Sequence, residues 1–210
     1  MRRRNLIASV VIALAVSISV WASQTQEAAR DDVRGFGAVG EGEADDTSAI
    51  QKAVDSGIGV VQLSKGVYRI TRPVVIDLDK VGYTSTSGGG VAGIVMAGPG
   101  PALKFVGAHF KSADREGFSE DVWRRQRMTL VDGVAIEDDH AEAIAIEAVG
   151  TMQLTLARVH VRSALHGIRL VGNNRNVIVS DCHIYHNRGL VQFTGGGGIP
   201  GRHIGSRIAY

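Results

Sequence analysis

Short apolar runs, separated by glycine, asparagine and aspartate, recur along the second half of the chain at intervals in the low twenties. The clearest series is Val134-Ala135-Ile136, Val159-His160-Val161 and Cys182-His183-Ile184, with steps of 25 and 23 residues. The outer members of each run are apolar, which is the two-residue period of a β-strand. Repeats of this length predict a β-solenoid, whose coils bury an apolar face only by stacking on their neighbours. We therefore expect the outer members to point inward, and His160 and His183 to face outward and stack.

A second series keeps a similar spacing and predicts a second column of strands. Its members are Ile144-Ala145-Ile146, Ile168-Arg169-Leu170 and Val191-Gln192-Phe193. The spacing places Ile144 and Ile168 at equivalent positions of successive coils. Two segments lack this rhythm and are expected to be loops, namely the polar, glycine-rich residues 83–93 and residues 108–127. Within the second loop, residues 119–126 are predicted to form a short capped helix.

Residues 47–56 are predicted to form a helix, because their apolar side chains recur at helical spacing. These side chains are Ala49, Ile50, Ala53 and Val54. Asp46 or Thr47 is suited to cap the N-terminus of this helix, and Gly57 lies just past its C-terminus.

The first 22 residues have the pattern of a signal peptide. Arg2-Arg3-Arg4 precedes an apolar run at residues 6–20, and Val20-Trp21-Ala22 offers small side chains for cleavage. The run is shorter than the ~20 residues of a membrane-spanning helix, so no stable membrane anchor is expected after cleavage; an uncleaved anchor is the alternative. The paired arginines also resemble a twin-arginine signal. The predicted location is therefore secreted or periplasmic.

Charge and cysteine content narrow the range of partners. The formal net charge of +2 includes the three leader arginines, so loss of the leader changes it to about −1. This balance excludes a global electrostatic attraction to nucleic acid. Cys182 is the only cysteine. No intrachain disulfide can form, and the thiol is expected to be a small core side chain.

Residues 35–70 carry several motifs in a fixed order. They are Phe36-Gly37-Ala38-Val39-Gly40, Asp45-Asp46-Thr47, Ala49-Ile50-Gln51, Gly59-Val60-Val61 and Gly66-Val67-Tyr68. Together they resemble the N-terminal segment of the pectate-lyase-like superfamily. The resemblance implies an all-β chain folded as a right-handed parallel β-helix, a single-stranded solenoid of about four to five turns. It also implies that the helix lies across the open N-terminal end and that Asp45-Asp46-Thr47 serves the fold rather than catalysis.

The expected layout is a signal peptide at residues 1–22, a β-helix domain at 23–193 and an irregular tail at 194–210. Members of the superfamily usually run several turns further, so the chain is interpreted as a truncated member whose last turn has no cap. A partner subunit that covers this turn is the alternative. The uncapped C-terminal end is therefore a predicted surface for forming a homo-oligomer.

Enzymes of the superfamily cleave acidic polysaccharide by hydrolysis or by β-elimination, and the resemblance implies the same class of partner here. The candidates for catalysis are Asp138, Asp139, His166 and Arg169. Hydrolysis needs two carboxyl groups, one of them held protonated by a raised pKa, whereas elimination needs a base and cations that neutralise a uronate. The Asn-Thr-Asp, Gly-His-Gly and Arg-Ile-Lys motifs of polygalacturonase-type enzymes are absent or partial. Solvated turn residues are therefore the alternative for the two aspartates.

Aromatic, basic and histidine side chains are the candidates for substrate binding. They are Trp123, Arg124, His160, Arg162, His183 and His186. An indole can stack on a sugar face while arginines pair with carboxylates. Carboxylates that could bind Ca²⁺, the one cofactor suggested, belong to Glu137, Asp138, Asp139 and Glu142. A non-catalytic polysaccharide-binding or cell-surface solenoid and an inactive remnant are the alternative functions.

Overall fold

The computed structural model describes residues 32–109, 119–185 and 189–194, the last range for its backbone alone. The helices are α1 (Thr47–Asp55) and α2 (Leu78–Val81), with a 3₁₀ turn at Val33–Phe36 and a π-helical turn at Val122–Gln126. The strands are β1 (Glu41–Asp45), β2 (Val60–Gln62), β3 (Gly66–Ile70), β4 (Val74–Asp77), β5 (Ser85–Met96), β6 (Gly100–Val106), β7 (Leu130–Asp138), β8 (Ala143–Val149), β9 (Thr155–Ala157), β10 (His160–Arg162), β11 (His166–Val171), β12 (Ile178–Ser180), β13 (His183–Tyr185) and β14 (Gly189–Thr194).

These strands form two sheets in which every described pair is parallel. The larger sheet has the order β1-β3-β5-β7-β10-β13, with β2, β9 and β12 alongside, and the smaller has the order β4-β6-β8-β11-β14. The chain passes from the larger sheet to the smaller in each coil, and the described strands make five such coils. The prediction of an all-β parallel solenoid is confirmed.

Apolar side chains of successive coils stack in columns inside the solenoid. One column, in register from β3 to β13, contains Tyr68, Ile94, Ile136, Val161 and Ile184, all of them buried. Val134, Val159 and Cys182 are buried as well. Burial raises the pKa of the Cys182 thiol, which keeps it uncharged. The inward positions expected from the repeat are therefore confirmed.

The predicted register of the second series is wrong by two residues between the third and fourth coils. Ile168 pairs with Ile146 and not with Ile144, whereas its pairing with Val191 is as expected. The cause lies in β8, where residues 143–148 are all buried. Such a strand lacks the alternation of apolar and polar residues that marks register in a half-exposed strand.

The expectation of a loop at residues 83–93 is also wrong, because most of the segment belongs to β5. A glycine bulge interrupts the pairing of β5 with β7 between Ser87 and Ala92. A Cβ atom on Gly88 would lie 2.7 Å from the carbonyl oxygen of Gly133, so only glycine fits where the two coils approach. The glycines therefore mark a bend within a strand and not a loop.

Several predictions fall wholly or partly outside the described residues. They concern the signal peptide at residues 1–22, the loop at 110–118 and the tail after residue 194. The short helix expected at residues 119–126 is present, and the Val122 N–H donates to Ser119 Oγ at 3.2 Å. In the part of the chain that the structure covers, no helix is both long and apolar enough to cross a membrane.

The side chain of Gln51 closes the first coil at the edge of the smaller sheet. Its Nε2 donates to the carbonyl oxygen of Val75 at 2.9 Å, and the Val75 N–H donates to Gln51 Oε1 at 2.8 Å. The amide thus takes the place that a further strand would occupy beside β4, which is the edge strand in the sheet order. An open edge recruits other chains, so pairing by α1 protects this end of the solenoid.

The two aspartates before α1 hold the turn that leads into it. Asp46 is buried, and its carboxylate accepts hydrogen bonds from the N–H groups of Val39 at 2.6 Å and Gly40 at 3.0 Å. The carboxylate of Asp45 accepts from the N–H of Thr47 at 3.0 Å and the hydroxyl of Thr71 at 2.7 Å. Asp46 occupies the N-cap position of α1, as predicted, but its side chain makes no capping hydrogen bond because it is engaged with the preceding loop. The side chain of Asp45 instead accepts from the first N–H of the helix. Both contacts serve the fold, as the resemblance implied.

Replacing Gln51 by alanine is expected to lower the free energy of unfolding by about 1–3 kcal/mol, because both Val75 backbone groups lose their partner. Urea denaturation measures the change. The matched control is Lys52→Ala on the adjacent, exposed position of α1, which should stay within about 0.5 kcal/mol of the parent protein. Similar effects of the two substitutions would contradict the edge-pairing role of Gln51.

Candidate functional site

Polar and aromatic side chains form two adjacent columns on the outer face of the larger sheet. In the first column His160 pairs in register with Ala135 and with His183, and in the second Arg162 pairs with Glu137 and with Tyr185. We call the polar members of these columns the outer-face cluster, which consists of Glu137, His160, Arg162, His183 and Tyr185.

The chain bends at the same place before each of the three strands that carry the cluster. Gly133, Arg158 and Asp181 have left-handed φ angles of 62°, 52° and 54°, and each directly precedes the first buried residue of its run. The alternation of inward and outward side chains therefore starts in phase in all three coils. His160 and His183 are exposed, which confirms the predicted outward direction, and their rings contact each other edge to face rather than stacking in parallel.

Contacts within the outer-face cluster join neighbouring coils. The imidazole centroids of His160 and His183 lie 5.8 Å apart in an edge-to-face arrangement, and the His160 and Tyr185 rings lie 5.0 Å apart. Arg162 Nη2 lies 3.2 Å from Glu137 Oε1 in an ion pair whose side chains are 55% and 49% exposed. Ion pairs so exposed contribute little to stability, so a ligand carboxylate can compete for the guanidinium. With strands about 4.8 Å apart, the cluster presents one group on β7 and two on each of β10 and β13 along the solenoid axis.

Asp138 and Asp139, expected as a catalytic pair, lie in different environments. Asp138 continues the inward column of Ile70 and Met96 and is 8% exposed, whereas Asp139 is exposed in the following turn. Neither carboxylate oxygen of Asp138 has a hydrogen-bond partner within the described chain. Burial, and secondarily the charge of Glu137, raises the pKa of Asp138 to about 7. The structure does not bring these two carboxyl groups to one surface, and their catalytic roles stay predictions.

His166 and Arg169 belong to β11 in the smaller sheet and not to the outer-face cluster. His166 pairs in register with Ile144 and is half-buried, and its Nδ1 has no partner among the described residues. Arg169 Nε donates to Glu147 Oε2 at 2.6 Å, and a second guanidinium nitrogen contacts the same oxygen. This pairing gives Arg169 a structural contact that the sequence did not reveal. Its predicted catalytic role remains untested.

Glu147 and Lys104 are charged residues of the smaller sheet that sequence reasoning missed. Lys104, Glu147 and Arg169 occupy equivalent positions in three successive coils, and Lys104 Nζ lies 3.2 Å from Glu147 Oε1. The Glu147 side chain is only 4% exposed. Burial raises its pKa, but the hydrogen bonds and charges of Arg169 and Lys104 outweigh burial and lower it overall. The sequence feature that could have identified Glu147 is its position as the single acid within the apolar run of residues 143–149.

Trp123 and Arg124, predicted to bind substrate, lie on the π-helical turn, where the charges are already paired. Arg124 Nε lies 2.6 Å from Glu120 Oε1, and Arg125 Nη1 lies 3.3 Å from Asp121 Oδ1. The guanidinium of Arg127 lies 4.4 Å from the centroid of the Trp123 ring. The turn is therefore a less favourable polyanion surface than its sequence indicated. His186, the remaining predicted binding residue, lies outside the described residues.

The four carboxylates predicted to bind calcium do not converge. Glu137 points outward and pairs with Arg162, while the adjacent Asp138 points inward. Asp139 and Glu142 are exposed in the turn that follows. Among the residues that the structure describes, no group of three or more histidine, cysteine, aspartate or glutamate side chains is placed to hold a metal ion.

No protein-family model matches the chain, and no curated protein sequence is significantly similar to it. Solved structures share its fold. ORF18 of Geobacillus virus E2 is 17% identical over 77% of this chain and 40% of its own, with a TM-score of 0.53. The catalytic unit of a thermostable GH87 α-1,3-glucanase from Streptomyces thermodiastaticus strain HF3-3 is 20% identical over 74% and 31% of the two chains, with a TM-score of 0.48. The A-module of the Azotobacter vinelandii mannuronan C-5 epimerase AlgE4 is 17% identical over 76% of this chain and 59% of its own, with a TM-score of 0.40. The chain thus spans less than two thirds of each of these structures.

The free energy of unfolding is expected to decrease as the pH rises from about 4 to 7 because of Asp138. Its pKa is raised from 3.8 to about 7 in the folded protein. Below pH 4 the carboxyl is protonated in both states, whereas at higher pH the unfolded chain ionises first and unfolding becomes more favourable. Asp138→Asn, neutral at every pH, should remove up to about 4 kcal/mol of this dependence in urea titrations at pH 4 and pH 8. Asp139→Asn is the control, and an unchanged pH profile in Asp138→Asn would refute the assignment.

Replacing Glu147 by glutamine is expected to lower the free energy of unfolding at pH 7 by about 1–3 kcal/mol, because Lys104 and Arg169 lose their shared anion. Because the pKa of Glu147 is lowered by folding, its carboxylate stabilises the folded protein at pH values above 4.5, its pKa in the unfolded chain. This stabilisation is lost as the pH falls through the pKa of the folded protein. The difference between parent and variant should therefore shrink in acid. Glu142→Gln in the exposed turn is the control, and a loss no larger than in that control would count against the pairing.

Proposed function

Because the chain has the parallel β-helix fold of the pectate-lyase-like superfamily that residues 35–70 resemble, we propose that it is an exported carbohydrate-active protein. Its outer-face cluster binds an extended acidic polysaccharide. The observation that carries this proposal is the alignment of His160, Arg162, His183 and Tyr185 on adjacent coils of one exposed face.

The chemistry of the outer-face cluster suits an anionic sugar polymer. The Arg162 guanidinium can donate parallel hydrogen bonds to a uronate carboxylate, a geometry that a lysine ammonium lacks. Tyr185 and the two imidazoles supply flat rings with polar edges, which can contact sugar faces and hydroxyl groups. Because each coil adds its group at a regular spacing, an extended chain lying along the solenoid axis meets several groups in succession.

Binding is supported more directly than turnover by the arrangement of acids. The outer-face cluster contains one carboxylate, that of Glu137, and it is paired with Arg162. Asp138 lies inside the solenoid, where a polymer on the outer face does not reach it. Hydrolysis by two carboxyl groups requires both to flank the same bond. The outer-face cluster is therefore proposed to bind the polymer, and the product assays described below determine whether the polymer is also cleaved.

Opposite effects are expected from neutralising the two members of the Arg162–Glu137 pair. Arg162→Gln removes the cation and should weaken binding to polygalacturonate about two- to fivefold, while Glu137→Gln removes the competing anion and should strengthen it by a similar factor. Isothermal titration calorimetry at pH 7 and low salt measures both. Lys52→Gln on α1 changes the net charge as Arg162→Gln does, away from the cluster, and should leave the affinity unchanged.

The same samples distinguish the classes of function. New reducing ends without unsaturation indicate a hydrolase, and UV-absorbing unsaturated ends indicate a lyase. Binding without either product indicates a non-catalytic solenoid. Failure of the parent protein to bind any acidic polymer, or equal binding of polygalacturonate and neutral dextran, would overturn the proposal.

A further inference from the structure

The outer-face cluster contains two histidines on adjacent coils, and the proposed function uses their rings without using their ability to change charge. We propose that protonation of His160 and His183 makes the affinity of this face for anionic polymers pH-dependent, with tighter binding in acid. The inference rests on the proposed function, because it concerns the regulation of the same surface.

The geometry places both imidazoles where a ligand and bulk protons reach them. Both are exposed, and their ring centroids lie 5.8 Å apart across the β10–β13 pair. The members of their column in the three preceding coils are Ala135, Gly93 and Val67, and the one carboxylate in register with them, Glu41, lies a further coil away. Histidine is the side chain whose charge ordinarily changes between about pH 5 and 8. A polyanion along the column would then meet two added cations in acid.

The charged groups around the two histidines nearly cancel one another. Strand β7 carries Glu137, which pairs with Arg162 of β10. It also carries Asp132, which pairs with Arg158 in the bend before β10. Strand β13 carries Tyr185, and Asp181 lies in the bend before it. Among the described residues of β7, β10, β13 and the bends before β10 and β13, the three acids and two arginines named here sum to one net negative charge. Two protonated histidines change the sum over these residues to one net positive charge, which favours an anionic polymer.

The test needs a polyanion whose own charge does not change over the pH range. Dextran sulfate meets this requirement, because its sulfate esters stay ionised from pH 5 to 8. The expected result for the parent protein is a dissociation constant about three- to thirtyfold lower at pH 5 than at pH 8, at fixed low ionic strength. The salt dependence of binding should also be steeper at pH 5, because more counterions are released.

Variants assign the effect to the two histidines. His160→Gln and His183→Gln should each remove part of the pH dependence, and the double variant should lose most of it. The remainder is assigned to Asp138, which lies inside the solenoid next to Glu137 with a pKa raised to about 7, and it should disappear when Asp138→Asn is added to the double variant. His140→Gln, in the turn after β7, is the matched control and should keep the parent profile. Circular dichroism at both pH values confirms that each variant is folded, and the single variants carry the test if the double variant unfolds.

The outcomes separate this inference from the proposed function. Binding that is tight but independent of pH in the parent protein overturns the inference and leaves polysaccharide binding standing. A pH dependence that is as large in the single and double variants as in the parent protein, or that disappears in His140→Gln, overturns it as well. Absence of binding to dextran sulfate and to polygalacturonate at every pH overturns the proposed function together with the inference.

Discussion

Each strand of this solenoid finds hydrogen-bond partners for its backbone only on the neighbouring coils, and the rest of the structure depends on that constraint. It fixes the register between coils, and register in turn sorts side chains into columns. It also leaves the first coil with an edge that no strand covers. The bidentate contact between the Gln51 amide and Val75 supplies the missing partner there, with Asp45 and Asp46 holding the approach to the helix. The structural role that the resemblance implied for Asp45-Asp46-Thr47 is thus explained by backbone hydrogen bonding.

The columns also explain why two buried carboxylates have opposite pKa shifts. Asp138 takes an inward position that Ile70 and Met96 occupy in earlier coils, so it has apolar neighbours and its pKa rises. Glu147 takes an outward position between Lys104 and Arg169, and their charges and hydrogen bonds overcome the effect of burial. Whether the carboxylate points into the core or to the outer face decides whether neighbouring cations offset the effect of burial on its pKa. Adjacent residues in sequence, such as Glu137 and Asp138, can therefore differ completely in chemistry.

The parts of the fold that the sequence predicted are those where one face of a strand is exposed. The Val134, Val159 and Cys182 runs alternate clearly, and the register, the core column and the outward histidines all follow from them. In β8 both faces are buried, so periodicity carries no information on register and the prediction was two residues off. The glycine-rich segment predicted a loop from the sequence, yet Gly88 makes a close contact between coils and Gly89 and Gly90 adopt left-handed φ angles in the bulge, which only the three-dimensional structure reveals. At the candidate site the alternation of Val134 and Ile136, continued by two residues, places Asp138 inward and Glu137 outward, but the adjacent acids were expected to lie in a turn rather than in the strand.

The two outer faces differ in how their charges are used, and this difference favours the larger sheet as the binding surface. On the smaller sheet, the shared anion of Glu147 is enclosed by Lys104 and Arg169, so its removal or displacement costs stability. On the larger sheet, the Arg162–Glu137 pair is half-exposed and the two histidines contact each other edge to face in the adjacent column. A polymer can take over the guanidinium there at little cost to the fold. Recognition is therefore expected where the coils align polar side chains without relying on them for stability.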